Sequence, residues 1–257
     1  MRVEPLRSPV GLLLLHGFSG STVSFSALEP ALAQLGLLVQ MPLLRGHGCD
    51  SPQALSGVTW SDWLKDASTA LAELRGRAGS VIVLGHSMGA LLALLLAAEQ
   101  PEGIDSLVLA ATPIQLASLL APGRPLEVLT PLLGRLLRRW PLPRDYADPA
   151  LAASDTGYPW VPMEALLSFL QLSVVVRRRL VEVHQPVLIL HSRADRVVTP
   201  AAADLLASGL GTPKDQVRIA WFERSGHELF LDCEQDAVIA TVLQFVHERI
   251  SRPVDAP

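Results

Sequence analysis

The chain has 257 residues, 49% of them hydrophobic and 18% charged, with a formal net charge of −4. That length and composition fit one large α/β domain with a sizeable core and exclude a disordered chain. The acidic balance speaks against a nucleic-acid partner, no run of about eighteen apolar residues offers a membrane span, and two cysteines, Cys49 and Cys233, make no disulfide framework and suit reduced thiols in the cytoplasm.

In chain order, the first apolar run, Gly11–Leu15, has a strand's length and is too short for the core of a secretory leader. Phe25–Gln34 reads as a helix, Leu37–Met41 as a strand and Ser61–Leu74 as a helix. Val81–Leu84 is the next strand, and a helix over Ser87–Glu99 follows almost at once; Ser106–Ala110 is a further strand. From Pro113 to Leu180 the rhythm breaks, with many prolines, leucines and arginines and no strand pattern. Eight arginines against five carboxylates give this stretch a charge of +3. It is too long for an ordinary crossover and reads as an inserted helical cap. The alternation then resumes with a strand at Val187–His191, a helix at Pro200–Ser208 with Thr199 as N-cap, a strand at Val217–Trp221, and a helix at Asp232–Ile250 capped by Asp232. Ser251–Pro257 reads as a loose tail. Continuous apolar strands alternating with helices imply a mostly parallel central sheet flanked by helices on both faces. The expected division is a core of residues 1–112 and 181–257 and a cap, or lid, of residues 113–180.

Gly85-His86-Ser87-Met88-Gly89 lies between a β-branched apolar strand and a strong helix former, Ala90–Leu96. Gly-x-Ser-x-Gly in that setting is a sharp strand-to-helix turn that lifts the Ser87 hydroxyl out of the backbone. In other settings the pattern is only a small-residue loop; here it points to a nucleophile. A serine hydroxyl needs a base, and seven histidines are present. His227 lies in Ser225-Gly226-His227, between the last strand and the last helix, at the carboxyl end of the sheet where Ser87 must also sit. His16, His47, His86, His184, His191 and His247 read as structural or surface residues. Asp195 follows the Val187–His191 strand and precedes a helix, so it is the expected acid, holding the imidazole tautomer; its bland alternative is a surface pair with Arg193 or Arg196. A base of this kind is expected to titrate between roughly pH 5.5 and 7.5. The oxyanion of acyl transfer needs two N–H donors, for which Met88, the residue after the nucleophile, and Phe18, in the loop after the first strand, are the candidates. An apolar wall for the substrate is expected from some of Ile114, Leu116, Leu119, Leu120, Leu132, Leu136, Phe169 and Leu172.

With His16-Gly17-Phe18-Ser19-Gly20, Arg45-Gly46-His47-Gly48, Asp62-Trp63, Gly85–Gly89, Asp195 and Ser225-Gly226-His227 in this order, the chain resembles the bacterial carboxylesterase and monoacylglycerol lipase family of the α/β-hydrolase superfamily, over roughly Val10 to Arg249. The resemblance implies an α/β-hydrolase fold with a cap lining the acyl pocket, and hydrolysis of small-molecule carboxylic esters with no cofactor and no metal. The expected function is a serine hydrolase of short or medium acyl esters, monoacylglycerols among them, working through an acyl-enzyme. A thioesterase or lactonase on the same triad, and a non-catalytic ligand-binding scaffold, are the alternatives. The basic cap could also make transient contact with a lipid surface.

Overall fold

The structure, a computed structural model, describes residues 10–251; the tail beyond Ser251 lies outside the described residues. Six parallel strands form the central sheet: β1 (Val10–Leu15), β2 (Leu38–Gln40), β3 (Ser80–His86), β4 (Ile104–Ala110), β7 (Val187–Ser192) and β8 (Val217–Phe222), in the order β2-β1-β3-β4-β7-β8. Their apolar runs are continuous because both faces are covered. Leu13, Leu15, Val83 and Leu109 enter one hydrophobic cluster, while Leu12, Leu14, Leu84 and Val108 enter the other. Helices α1 (Leu28–Ala33), α2 (Trp60–Arg75), α3 (Met88–Glu99), α7 (Ala201–Gly209) and α8 (Gln235–Ile250) make the crossovers and the end of the fold, so every expected strand and helix of the body is present. Among the described residues no helix is long and apolar enough to cross a membrane.

Helix α3 carries no polar stripe. Every residue from Met88 to Ala97 is buried, because the sheet lies beneath it and two further helices pack on it. One of those is α2; the other is α6 (Met163–Arg179), contributed by the stretch between β4 and β7. That stretch also contains α4 (Thr130–Leu136) and α5 (Pro149–Ser154). Contrary to expectation, it holds a ladder as well: β5 (Arg139–Pro141) pairs antiparallel with β6 (Trp160–Pro162). Three-residue strands ending in proline show no alternation, and proline is tolerated only at such ladder margins.

The two expected helix caps are corrected by tertiary contacts. Helix α7 begins at Ala201, and the Thr199 hydroxyl donates to the Gln115 side chain at 2.7 Å instead of capping. Helix α8 begins at Gln235 without a side-chain cap, because the Asp232 carboxylate accepts from the Gly226 and Ala147 N–H groups at 2.6 and 2.7 Å. Both polar groups are spent on holding loops together at the carboxyl end of the sheet.

Candidate active site

At the end of β3 the backbone turns so sharply that Ser87 adopts φ 51°, ψ −117°, a left-handed conformation that a side chain-bearing residue occupies only under constraint. The flanking glycines make the constraint possible. A Cβ on Gly89 would overlap the Leu15 carbonyl, and one on Gly85 would overlap the Gly89 carbonyl. The Ser87 N–H is tied to the Ala110 carbonyl at 2.8 Å, so the turn is stitched to the neighbouring strand.

Three groups far apart in the chain meet there. Ser87 Oγ lies 2.9 Å from His227 Nε2, and His227 Nδ1 lies 2.9 Å from Asp195 Oδ2. All three residues are buried, and each keeps only 6 to 7% of its surface exposed. The other Asp195 oxygen accepts the Val197 and Val198 N–H groups, each at 2.8 Å, which fixes the carboxylate in its turn. The surface-pair alternative for Asp195 does not occur: Arg193 pairs with Glu223 and Arg196 with Asp145. A hydroxyl bonded to an imidazole whose other nitrogen is held by a carboxylate can give up its proton to that imidazole.

Burial alone would lower the basicity of His227. The Asp195 carboxylate outweighs it through charge and hydrogen bond, aided by Glu228 and Asp145, and the imidazole is held up at about 9. This lies above the window expected from the sequence, because three carboxylates converge on one ring. The remaining buried histidines go the other way. Burial pushes His16 down to about 4 and His47 to about 3, and it lowers His86 and His191. They are neutral scaffold groups: His16 Nε2 accepts the Leu44 N–H at 3.1 Å, and the His47 Nδ1–H donates to the Leu44 carbonyl at 3.2 Å.

Met88 is the first residue of α3, where an N–H has no carbonyl one turn back to bond. Phe18 follows β1 across the crevice; its ring stacks on Phe169 at 5.0 Å and meets Trp63 edge-on at 5.6 Å, which anchors the loop. Gly17, beside it, comes so close that a Cβ would lie 3.3 Å from Ser87 Cβ. The segments that carry the two candidate donors therefore adjoin Ser87.

A cavity of about 420 Å³ opens on Ser87 and His227. Of the expected wall, Leu116, Leu120 and Phe169 line it. Ile114 and Leu172 are instead buried in the core, and Leu119, Leu132 and Leu136 face outward. Leu133, Trp140, Leu142, Met163, Leu166 and Leu170 are further apolar residues of the lining. Positions 166, 169 and 170 share one helical face.

Two residues at the site escaped the sequence. The His86 Nε2–H donates to the His227 carbonyl at 3.0 Å, across 141 residues. Asp145, from the stretch between β4 and β7, accepts the His227 N–H at 3.0 Å. Position x of Gly-x-Ser-x-Gly and one aspartate among many carry no local signal of either contact. Among the described residues, His86, His227 and Glu228 bring potential metal-ligand atoms within 4.8 Å of one another, but both nitrogens of His227 are already engaged.

The family model described as serine aminopeptidase, S33, matches residues 10–234. The chain is 30% identical over 240 residues to a thermostable monoacylglycerol lipase of Bacillus sp. (strain H-257), covering 92% of this chain and 90% of that one. It is 25% identical over 238 residues to a carboxylesterase of Bacillus subtilis (strain 168), covering 92% of each. Among solved structures, a metagenome-derived lipolytic enzyme superposes with a TM-score of 0.83 at 27% identity, over 95% of both chains.

Proposed function

The chain belongs to the serine aminopeptidase, S33, family and is a carboxylic ester hydrolase of the α/β-hydrolase fold, and from that premise we propose that Ser87, His227 and Asp195 form its catalytic triad. The observation that carries this reading is the unbroken pair of 2.9 Å contacts, Ser87–His227–Asp195, at the mouth of an apolar cavity. Ser87 Oγ attacks the ester carbonyl while His227 Nε2 takes its proton. The tetrahedral oxyanion is received by the Phe18 and Met88 N–H groups. On collapse the alcohol leaves with the proton from His227, and water then releases the acid from Ser87 by the same steps. A scaffold that had lost catalysis would have no reason to keep the three groups bonded in this register.

The cavity takes the acyl chain, and residues 113–180 act as the cap over it. Substrates are esters of short or medium acyl chains, monoacylglycerols included, in line with the named activity of the Bacillus relative. Transient contact with a lipid surface is supported by Leu119, Val128, Leu132 and Leu136, exposed on the arginine-rich stretch that also supplies Leu120 and Leu133 to the cavity. Turnover of p-nitrophenyl esters of rising acyl length, alongside a monoacylglycerol, a thioester and a lactone, tests the assignment, with Ser87→Ala as control. Rising kcat/KM up to a medium length, abolished in the control, is the expected result. Equal turnover by folded Ser87→Ala overturns it, and preference for the thioester or lactone would move the enzyme to those classes.

A further inference from the structure

Asp145 belongs to the stretch between β4 and β7, yet its bonds go to the two turns that carry Asp195 and His227. One carboxylate oxygen accepts two backbone N–H groups: Arg196, the residue after the acid, at 2.8 Å, and His227 itself at 3.0 Å. The other oxygen accepts from the Arg196 guanidinium at 2.6 Å. The Asp145 carbonyl also lies 2.9 Å from the His227 N–H. Gly226 has no room for a Cβ because that carbonyl occupies the space. Next door, the Ala147 N–H is held by the same Asp232 oxygen that holds the Gly226 N–H. Asp145 is buried.

A single buried carboxylate therefore bridges the acid turn and the base turn, which are otherwise joined by the Asp195–His227 hydrogen bond and by the Ser192 hydroxyl, which donates to the Ser225 carbonyl. Resting on the triad reading above, we propose that Asp145 is a positioning residue of the reaction. It sets the spacing of Asp195 and His227 by clamping their backbones, and its charge adds to the field that stabilises the imidazolium. Residues 145–147 are then a stationary part of the cap, so any opening must occur around them. The groups that face His227 are Asp195 from the acid turn, Glu228 on its own loop, His86 from the elbow, His191 at the end of β7, and Asp145. Only Asp145 bonds the backbone of both turns.

Asp145→Asn has the same shape but one acceptor oxygen, so its amide N–H₂ must face either the two backbone donors or the guanidinium, and the clamp is lost on one side. A misplacement of the order of an ångström costs up to about a hundredfold in rate. The expected result is kcat lower by roughly tenfold to a hundredfold with KM little changed. The midpoint of the kcat/KM profile should also move to lower pH, because a charge favouring protonated His227 is gone. Asp145→Glu, which restores charge without the reach geometry, should recover the midpoint better than kcat. Active-site labelling by a fluorophosphonate probe, read as a rate on the folded fraction, keeps the test valid if Asp145→Asn is unstable. An unchanged midpoint with reduced melting temperature means that Asp145 is structural only, and unchanged kcat means that the clamp does not position the triad. If instead Ser87→Ala is fully active, it is the triad reading that fails.

Discussion

The elbow from Ser80 to Glu99 and the stretch from Ser118 to Leu137 border the same cavity, yet they are built in opposite ways. In the elbow, ten consecutive residues of α3 are buried, two glycines leave no room for a Cβ against neighbouring backbone, and the serine is forced into a left-handed turn. In the other stretch, Leu119, Val128, Leu132 and Leu136 are 51, 79, 54 and 69% exposed, and α4 has under two turns. The elbow fixes Ser87 through backbone contacts that side-chain substitution does not adjust. The stretch reaches the cavity through side chains that substitution can change, among them Leu120, Thr130 and Leu133. Changes in the first region should therefore act on every ester alike, and changes in the second should alter the ranking among esters.

The largest test of this contrast is Ser87→Ala. It should lower turnover by several orders of magnitude for all acyl lengths in parallel, leaving at most ~10³–10⁴-fold over water from the oxyanion donors and binding. A chain-length-dependent loss would break the comparison. Asp195→Asn comes next, with kcat reduced by up to ~10⁴-fold and the fold kept, since the amide can hold the wrong imidazole tautomer; circular dichroism and steady-state kinetics on two acyl lengths decide it.

The pH profile is the third. On the proposed mechanism catalysis needs neutral His227, and its carboxylates hold it up at about 9. The neutral fraction should thus grow about tenfold per pH unit below that value, leaving kcat/KM near pH 7 about a hundredfold under its plateau. A plateau already reached by pH 7.5 would show that the three carboxylates do not act together on the ring. The smallest effect belongs to the cap. Leu170→Trp, which fills the cavity wall, should shift the best substrate to shorter esters. The longer esters should lose up to about fourfold per methylene that no longer fits, since a buried CH₂ is worth ~0.8 kcal/mol. An unchanged length profile would remove α6 from the acyl site.

The body was legible in the sequence because its signals are local. Val81–Leu84 announces a strand buried on both faces, and Gly85 and Gly89 announce the close approach around Ser87. Asp195 and His227 follow in the chain order that the elbow requires. What was illegible depends on partners far along the chain. Thr199 and Asp232 have the chemistry of caps but are claimed by Gln115 and by the Gly226 and Ala147 N–H groups. The face of a seven-residue helix such as α4 is not determined by periodicity, so Leu132 and Leu136 were placed on the cavity when Leu133 faces it. The basicity of His227 rests first on Asp195; Glu228, which follows His227 in the chain, and Asp145 add to the effect, and nothing local to Asp145 foretells its approach.

The strand order carries a consequence for how the chain comes to be active. β1, β3 and β4 lie side by side and are complete once residue 110 has been made, so the serine-bearing half can form from neighbouring segments early in synthesis. β7 must pair with β4 across the whole intervening stretch, a long loop closure that slows the search. The acid and base turns reach Ser87 only after that closure and after β8 has joined the edge. The Ser87 hydroxyl can therefore meet His227 only once the final sheet pairings have formed, and on the proposed triad activity should appear in step with them.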